Sequence, residues 1–173
     1  MSESTALTSS ESTINDERAT RRAKRKALIE QGVNPYPISS TITAFARDLE
    51  TQYGSLEDGA ATEDSYTVAG RIRAYRRQGK VCFIVLEDKT GTIQLFLRIN
   101  NMSEQDWNLL LQLDLGDIIQ ATGVIVRTRR GQLSVSVTNL VLLSKSVRPL
   151  PEKFHGLSDR EIRYRQRYVD LIM

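Results

Sequence analysis

Apolar residues recur along this chain at two spacings, near four before about residue 64 and near two after Ser65, and the change marks a passage from helix to sheet. Asn15 offers a side-chain cap, Asp16 and Glu17 complement the helix dipole, and Gly32 with Pro35 ends the run, so a helix is predicted over 16–31. Its apolar stripe is thin: Ala19, Ala23, Ala27 and Leu28. Residues 1–13 hold Ser, Thr, Glu and isolated apolar positions, too few to repay the entropy of ordering, and predict a disordered tail. Phe45, Leu49 and Tyr53, spaced by four, predict a second helix over 43–53, and Glu57 to Asp64 an acidic loop.

Alternation then predicts strands over Tyr66–Arg77, Lys80–Glu87 and Thr92–Ile99, joined by tight turns at Gln78-Gly79 and Asp88-Lys89-Thr90-Gly91. On the first strand, Val68, Gly70, Ile72 and Ala74 should face inward, and Ala69, Arg71, Arg73 and Tyr75 outward. Ser103 with Asp106 three residues on starts a helix whose apolar face is Trp107, Leu110 and Leu111. Two more strands, Ile118–Thr128 and Gln132–Leu143, meet at Arg129-Arg130-Gly131. A mainly β protein with flanking helices is expected, namely an OB-fold, a partly open five-stranded Greek-key barrel with a helix between strands three and four. An SH3-like barrel is the competing architecture, and it normally lacks that helix. The expected divisions are a disordered tail over 1–14, a helical extension over 15–64, the barrel over 65–146, and a linker into a further domain over 147–173.

Composition adds partners and compartment. Hydrophobic residues at 40% and charged ones at 26% fit a soluble globular chain. The net charge is only +3, but basic residues bunch at 18–26, 71–80, 127–130 and 160–167, which points to polyanions. The single cysteine, Cys82, sits in a strand pattern where a buried thiol is expected, favouring a reducing compartment. No apolar run approaches the roughly 18 residues of a membrane span, and the amino terminus lacks a signal pattern, so a cytoplasmic protein without membrane contact is expected.

The first three strands carry what a single-stranded nucleic acid groove needs, cations for the backbone and rings for the bases: Arg71, Arg73, Tyr75, Arg76, Arg77, Lys80, Phe83, Phe96 and Arg98. Phe83 and Phe96 fit a core equally well. Gln94, polar amid Ile93, Leu95 and Leu97, should face solvent and pair with a base edge. Arg21, Lys24 and Arg25 on the first helix are candidate phosphate contacts, against the alternative of a solvated face. No catalytic constellation is present: His155 is the only histidine and lies between Pro and Gly without a nucleophile, and Glu152, Asp159 and Glu161 are isolated charges. Metal ligation is not expected for want of Cys and His.

The segments VAGRIRAYRRQGKVCFIVLED (68–88), TGTIQLFL (90–97), LDLGDII (113–119), GVIVRTRRGQLSVSV (123–137) and RPLPEKFHGLSDREIRYRQRYVDLI (148–172), with GVNPYP (32–37), resemble the amino-terminal region of class II lysyl-tRNA synthetases. The resemblance runs from about Ala19 to Ile172. It implies an anticodon-binding domain that grips the uridine-rich lysine anticodon, with Phe83 stacking on the central base and Gln94 and Arg71 hydrogen-bonding around it. Arg76 is a further matching cation, and Gln132 stands where the family often has an acidic residue. The family's chemistry, adenylation of lysine with ATP and magnesium and transfer to tRNA, belongs to a catalytic domain whose first motif would follow Met173. This polypeptide alone is therefore expected to bind tRNA without ligase activity, to hold no cofactor itself, and to derive from a homodimeric enzyme. A stand-alone single-strand binding protein and a purely structural homodimer are the competing readings.

Overall fold

A computed structural model describes residues 3–149, 164, 165 and 167–172. Most of the 148–172 segment, including Glu152, His155, Asp159 and Glu161, lies outside the described residues.

The first helix, α1 (Glu3–Glu30), starts well before the expected Asn15 cap, within the stretch read as a disordered tail. Its inward face is also not the alanine stripe. Ala19 and Ala23 are exposed, while Arg21 and Leu28 are buried. A short helix α2 (Ala46–Tyr53) buries Ala46 and Leu49. Its N-cap, Phe45, has no oxygen to give, and the missing acceptor comes from elsewhere: Asp88, in the turn between two strands, takes the Ala46 N–H at 2.7 Å with one oxygen and holds its own turn through Thr90 and Gly91 with the other.

Five strands follow: β1 (Ala61–Gln78), β2 (Val81–Glu87), β3 (Thr92–Arg98), β4 (Ile118–Arg127) and β5 (Leu133–Ser144), with α3 (Glu104–Gln112) between β3 and β4. Ser103 caps α3 as its spacing predicts, its side chain accepting from the Asp106 N–H at 3.0 Å. Strand order is β1-β2-β3-β5-β4, and β4 is hydrogen-bonded back to β1, so every strand has two neighbours.

That arrangement corrects the expected Greek-key barrel. A Greek key is antiparallel throughout, and a partly open barrel leaves unpaired edges. Here β3 and β5 run parallel, in register from Gln94↔Ser134 to Leu97↔Val137. Parallel neighbours need a long crossover, and α3 with β4 provides it. The architecture is a mixed β-sheet with flanking helices.

The alternation on β1 also breaks. Ile72 pairs with Leu86 but Ala74 with Val85, so Arg73 is an extra residue and the strand bulges. Beyond the bulge the faces exchange: Ala74 is exposed, and Tyr75 turns in to pack on the core with its hydroxyl 3.3 Å from the Leu110 carbonyl. The expectation that Ala74 faces inward and Tyr75 outward is therefore reversed. Inside the sheet lie Val68, Ile72, Ile84, Leu86, Leu95, Leu97, Ile119, Ile125, Val135 and Val137. Gly123 lets β4 and β5 close up where the pairing shifts, since a Cβ there would meet the Ser136 carbonyl oxygen at 2.0 Å.

The final described helix, α4 (Arg167–Asp170), buries Val169 and leaves Tyr168 exposed, as are Tyr164 before it and Leu171 after it. Arg73 donates to the Ile172 carbonyl at 2.8 Å, bringing this segment against the bulge.

Candidate nucleic-acid interface

Outward-facing residues of β1, β2 and β3, together with the β4–β5 turn, line one groove of about 830 Å³. Ladder pairing decides which side chains share it. Phe83 is opposite Phe96 and Val85 opposite Gln94, so all four project from the same face. The two rings stack with centroids 5.1 Å apart and planes 12° from parallel. Arg98 covers the far side of Phe96, its guanidinium carbon 4.2 Å from the ring centre. Phe83 and Gln94 are half-buried, each with part of its surface open to solvent.

The groove carries one sign of charge. Arg76, Arg98, Arg129 and Arg130 line it, all exposed, and among the described residues no carboxylate does. Tyr75 adds none, because burial, then the neighbouring Cys82, pushes its hydroxyl up to about 12 and keeps it neutral. On the far wall, Arg127 is tied back by Asp58 at 3.1 Å and the Gly54 carbonyl, while its backbone pairs with Gly59 and Ala60. This brace sets the turn carrying Arg129, Arg130 and Gln132 over the groove. A cationic track beside stacked rings and an amide is the equipment for unpaired nucleotides.

Of the residues expected at the site, Arg76, Phe83, Gln94 and Gln132 come together here. Arg71 does not. It lies before the bulge, where β1 pairs with both Glu87 and Ile118, and its guanidinium donates to the Gly116 carbonyl at 2.9 Å. Arg129 and Arg130 were legible as a turn within a basic cluster that points to polyanions, but not as part of this site. Buried Ser134, which contacts Gln94, left no sequence signal at all.

The α1 cations divide. Arg21 is 4% exposed, donating to Glu17 and to the carbonyls of Leu115 and Ser146. Lys24 pairs with Asp114 at 2.5 Å. Both fasten α1 to the segments that flank β4 and β5, and the expectation that they present free charge to phosphates is corrected on that ground. Arg25 remains exposed, as does Arg22.

Beneath α1, fully buried Lys145 joins Asp114 at 2.5 Å and Asp117 at 2.7 Å. Burial pushes the Asp117 carboxyl up, against the pull of Lys145 and of the Asp114 and Ser146 N–H groups. For Asp114, burial raises as well, but hydrogen bonds from Lys145 and Lys24 outweigh it and hold the group below the ordinary range. Among the described residues no cluster of three or more Asp, Glu, His or Cys is placed to hold a metal ion, and no helix is long and apolar enough to cross a membrane.

Residues 66–143 match a tRNA anti-codon family described as an OB-fold nucleic acid binding domain. A lysine–tRNA ligase of Paraburkholderia phymatum is 47% identical over 157 residues, 90% of this chain and 30% of the relative. Its counterpart in Streptococcus agalactiae is 41% identical over 161 residues, 92% of this chain and 32% of the relative. That of Burkholderia multivorans is 46% identical over 157 residues, 90% and 31% respectively. The chain thus spans about 30% of the length of these relatives.

Proposed function

We propose, from the premise that this chain belongs to the lysine–tRNA ligase family through its OB-fold anticodon-binding module, that its groove takes the unpaired, uridine-rich anticodon of a lysine-accepting tRNA. One observation carries the reading: Phe83, Phe96, Gln94 and four exposed arginines face a single groove free of carboxylates. Phe83 stacks on a base, Gln94 meets a base edge, and Arg76, Gln132 and the turn arginines hold sugar and phosphate. Arg25 and Arg22 of α1 reach the backbone of the adjoining stem.

Attachment of lysine to tRNA is proposed for the whole protein, with ATP and magnesium as its requirements and a homodimer as its form. The groove is not where that chemistry occurs. Its amides, rings and cations include no carboxylate to coordinate magnesium.

The test is the affinity of the chain for an anticodon stem-loop of lysine tRNA against one whose central anticodon uridine is changed to cytidine. A preference of about tenfold is expected, in line with roughly 1–3 kcal/mol per misread base. Equal affinities would remove this reading and leave a sequence-tolerant single-strand binder.

A further inference from the structure

What Gln94 offers a ligand depends on which end of its amide faces the groove. Its Nε2 lies 2.9 Å from Ser134 Oγ, and that hydroxyl lies 3.2 Å from the main-chain oxygen of Gln132. A serine hydroxyl has one proton. The Gln132 carbonyl, which also accepts from the Thr128 N–H at 3.0 Å, can take that proton, and with the proton there the Ser134 oxygen is an acceptor for a Gln94 N–H, so that both of its contacts are hydrogen bonds. Turning the amide over would set Oε1 against that oxygen with no proton between them, or divert the proton and give up the Ser134–Gln132 bond, leaving that carbonyl to the Thr128 N–H alone. Ser134 has nowhere else to go: it is fully buried, and the parallel register holds it opposite Gln94. Oε1, the amide's acceptor, has no hydrogen-bond partner among the described residues.

We propose that Ser134 is a positioning residue that locks the Gln94 amide with Oε1 toward the groove, so that the site selects a base edge donating a ring N–H, as uracil N3–H does, over one that accepts there, as cytosine N3 does. This rests on the reading of the groove as a site for unpaired bases and adds how one position discriminates. Without the lock, the amide can present N–H to cytosine as readily as it presents oxygen to uracil.

The experiment uses the full chain and the two stem-loops, uridine and cytidine at the central position. Ser134→Ala is expected to cut the uridine preference about three- to tenfold, mainly by strengthening cytidine binding. A residue that merely supports the fold would weaken both RNAs alike and leave the ratio unchanged. Gln94→Glu in the Ser134→Ala background supplies a rescue, because a carboxylate accepts through either oxygen: the preference should return even as the charge weakens both RNAs. Independently of RNA, one Nε2 proton of Gln94 in the free protein should exchange slowly with water by NMR, and Ser134→Ala should abolish that protection. An unchanged ratio in Ser134→Ala, or two equally fast Nε2 protons in the unaltered chain, overturns the proposal. If the unaltered chain binds both RNAs equally, the groove's assignment falls with it, while the exchange measurement still reports whether Ser134 orients the amide.

Discussion

Phe83 and Cys82 are neighbours in β2 that face opposite ways, and each makes its own prediction. Phe83 presents a ring already aligned by Phe96, so a base joining the stack orders no further side chain. Phe83→Leu keeps bulk and removes the aromatic face; binding of the uridine stem-loop, measured by anisotropy, should weaken about tenfold, within the roughly 1–3 kcal/mol a stacked base contributes. Cys82 is fully buried, and burial pushes its thiol up to about 11 from an ordinary 9.0, opposed by Tyr75 and Arg77. A folded-state value above the unfolded one favours the fold while the thiol is protonated. That contribution is complete below pH 9 and is lost as pH rises through 11. Urea unfolding between pH 8 and 11 should show stability falling, and Cys82→Ala should flatten that slope while lowering stability throughout. Strand alternation made the burial of Cys82 legible and left Phe83 open between core and groove. On β1 it misled after Arg73, because the extra residue of a bulge leaves no mark on an apolar-polar pattern that remains regular on either side.

At the scale of elements, α1 and α2 are both held by polar devices from distant parts of the chain, which explains why their ends and docking faces were the least legible features. Three cations, Arg21, Lys24 and Lys145, meet three carboxylates, Glu17, Asp114 and Asp117, where α1 lies against the loop before β4 and the residues that follow β5. In the sequence, Arg21 and Lys24 look like surface charge, since their partners Leu115 and Asp114 lie 94 and 90 positions away. Lys145→Met would leave two carboxylates sharing a buried space without their common cation. A loss of about 3–5 kcal/mol is expected in denaturant unfolding, together with faster amide exchange over 16–30 as α1 loosens. Asp88 has the same role for α2. Its carboxyl is held low: burial raises it, but the N–H groups of Ala46, Thr90 and Gly91 and the Thr90 hydroxyl outweigh burial. A depressed folded-state value stabilises above the ordinary carboxylate range, and the benefit is lost as pH falls through it. Asp114 has the same sign and Asp117, raised by burial, the opposite. Asp88→Asn should therefore cost about 1 kcal/mol at neutral pH and make the decline of stability below about pH 4 shallower, as read from melting temperature against pH.

Over the whole molecule, the two cationic surfaces stand at opposite ends of β4. Asp114, to which α1 is fastened through Lys24, precedes its first residue, Ile118, and the turn arginines follow its last, Arg127. Ten strand residues at about 3.3 Å each separate them by about 30 Å, more than an anticodon loop alone bridges. A short single strand seated in the groove therefore leaves α1 untouched, whereas a stem-loop has a duplex arm to lay along it. Arg22→Ala with Arg25→Ala should leave the affinity for a five-nucleotide uridine strand unchanged. The same pair should weaken the complete stem-loop and lower its log-affinity against log-salt slope by about one to two, near one per lost phosphate contact. Arg129→Ala with Arg130→Ala should instead weaken strand and stem-loop together, because those side chains line the groove itself. Equal losses for strand and stem-loop in the α1 pair would mean that α1 acts through the fold rather than by touching RNA. Repeating the measurement at high salt separates those cases, since a direct phosphate contact fades with screening and a misplaced helix does not.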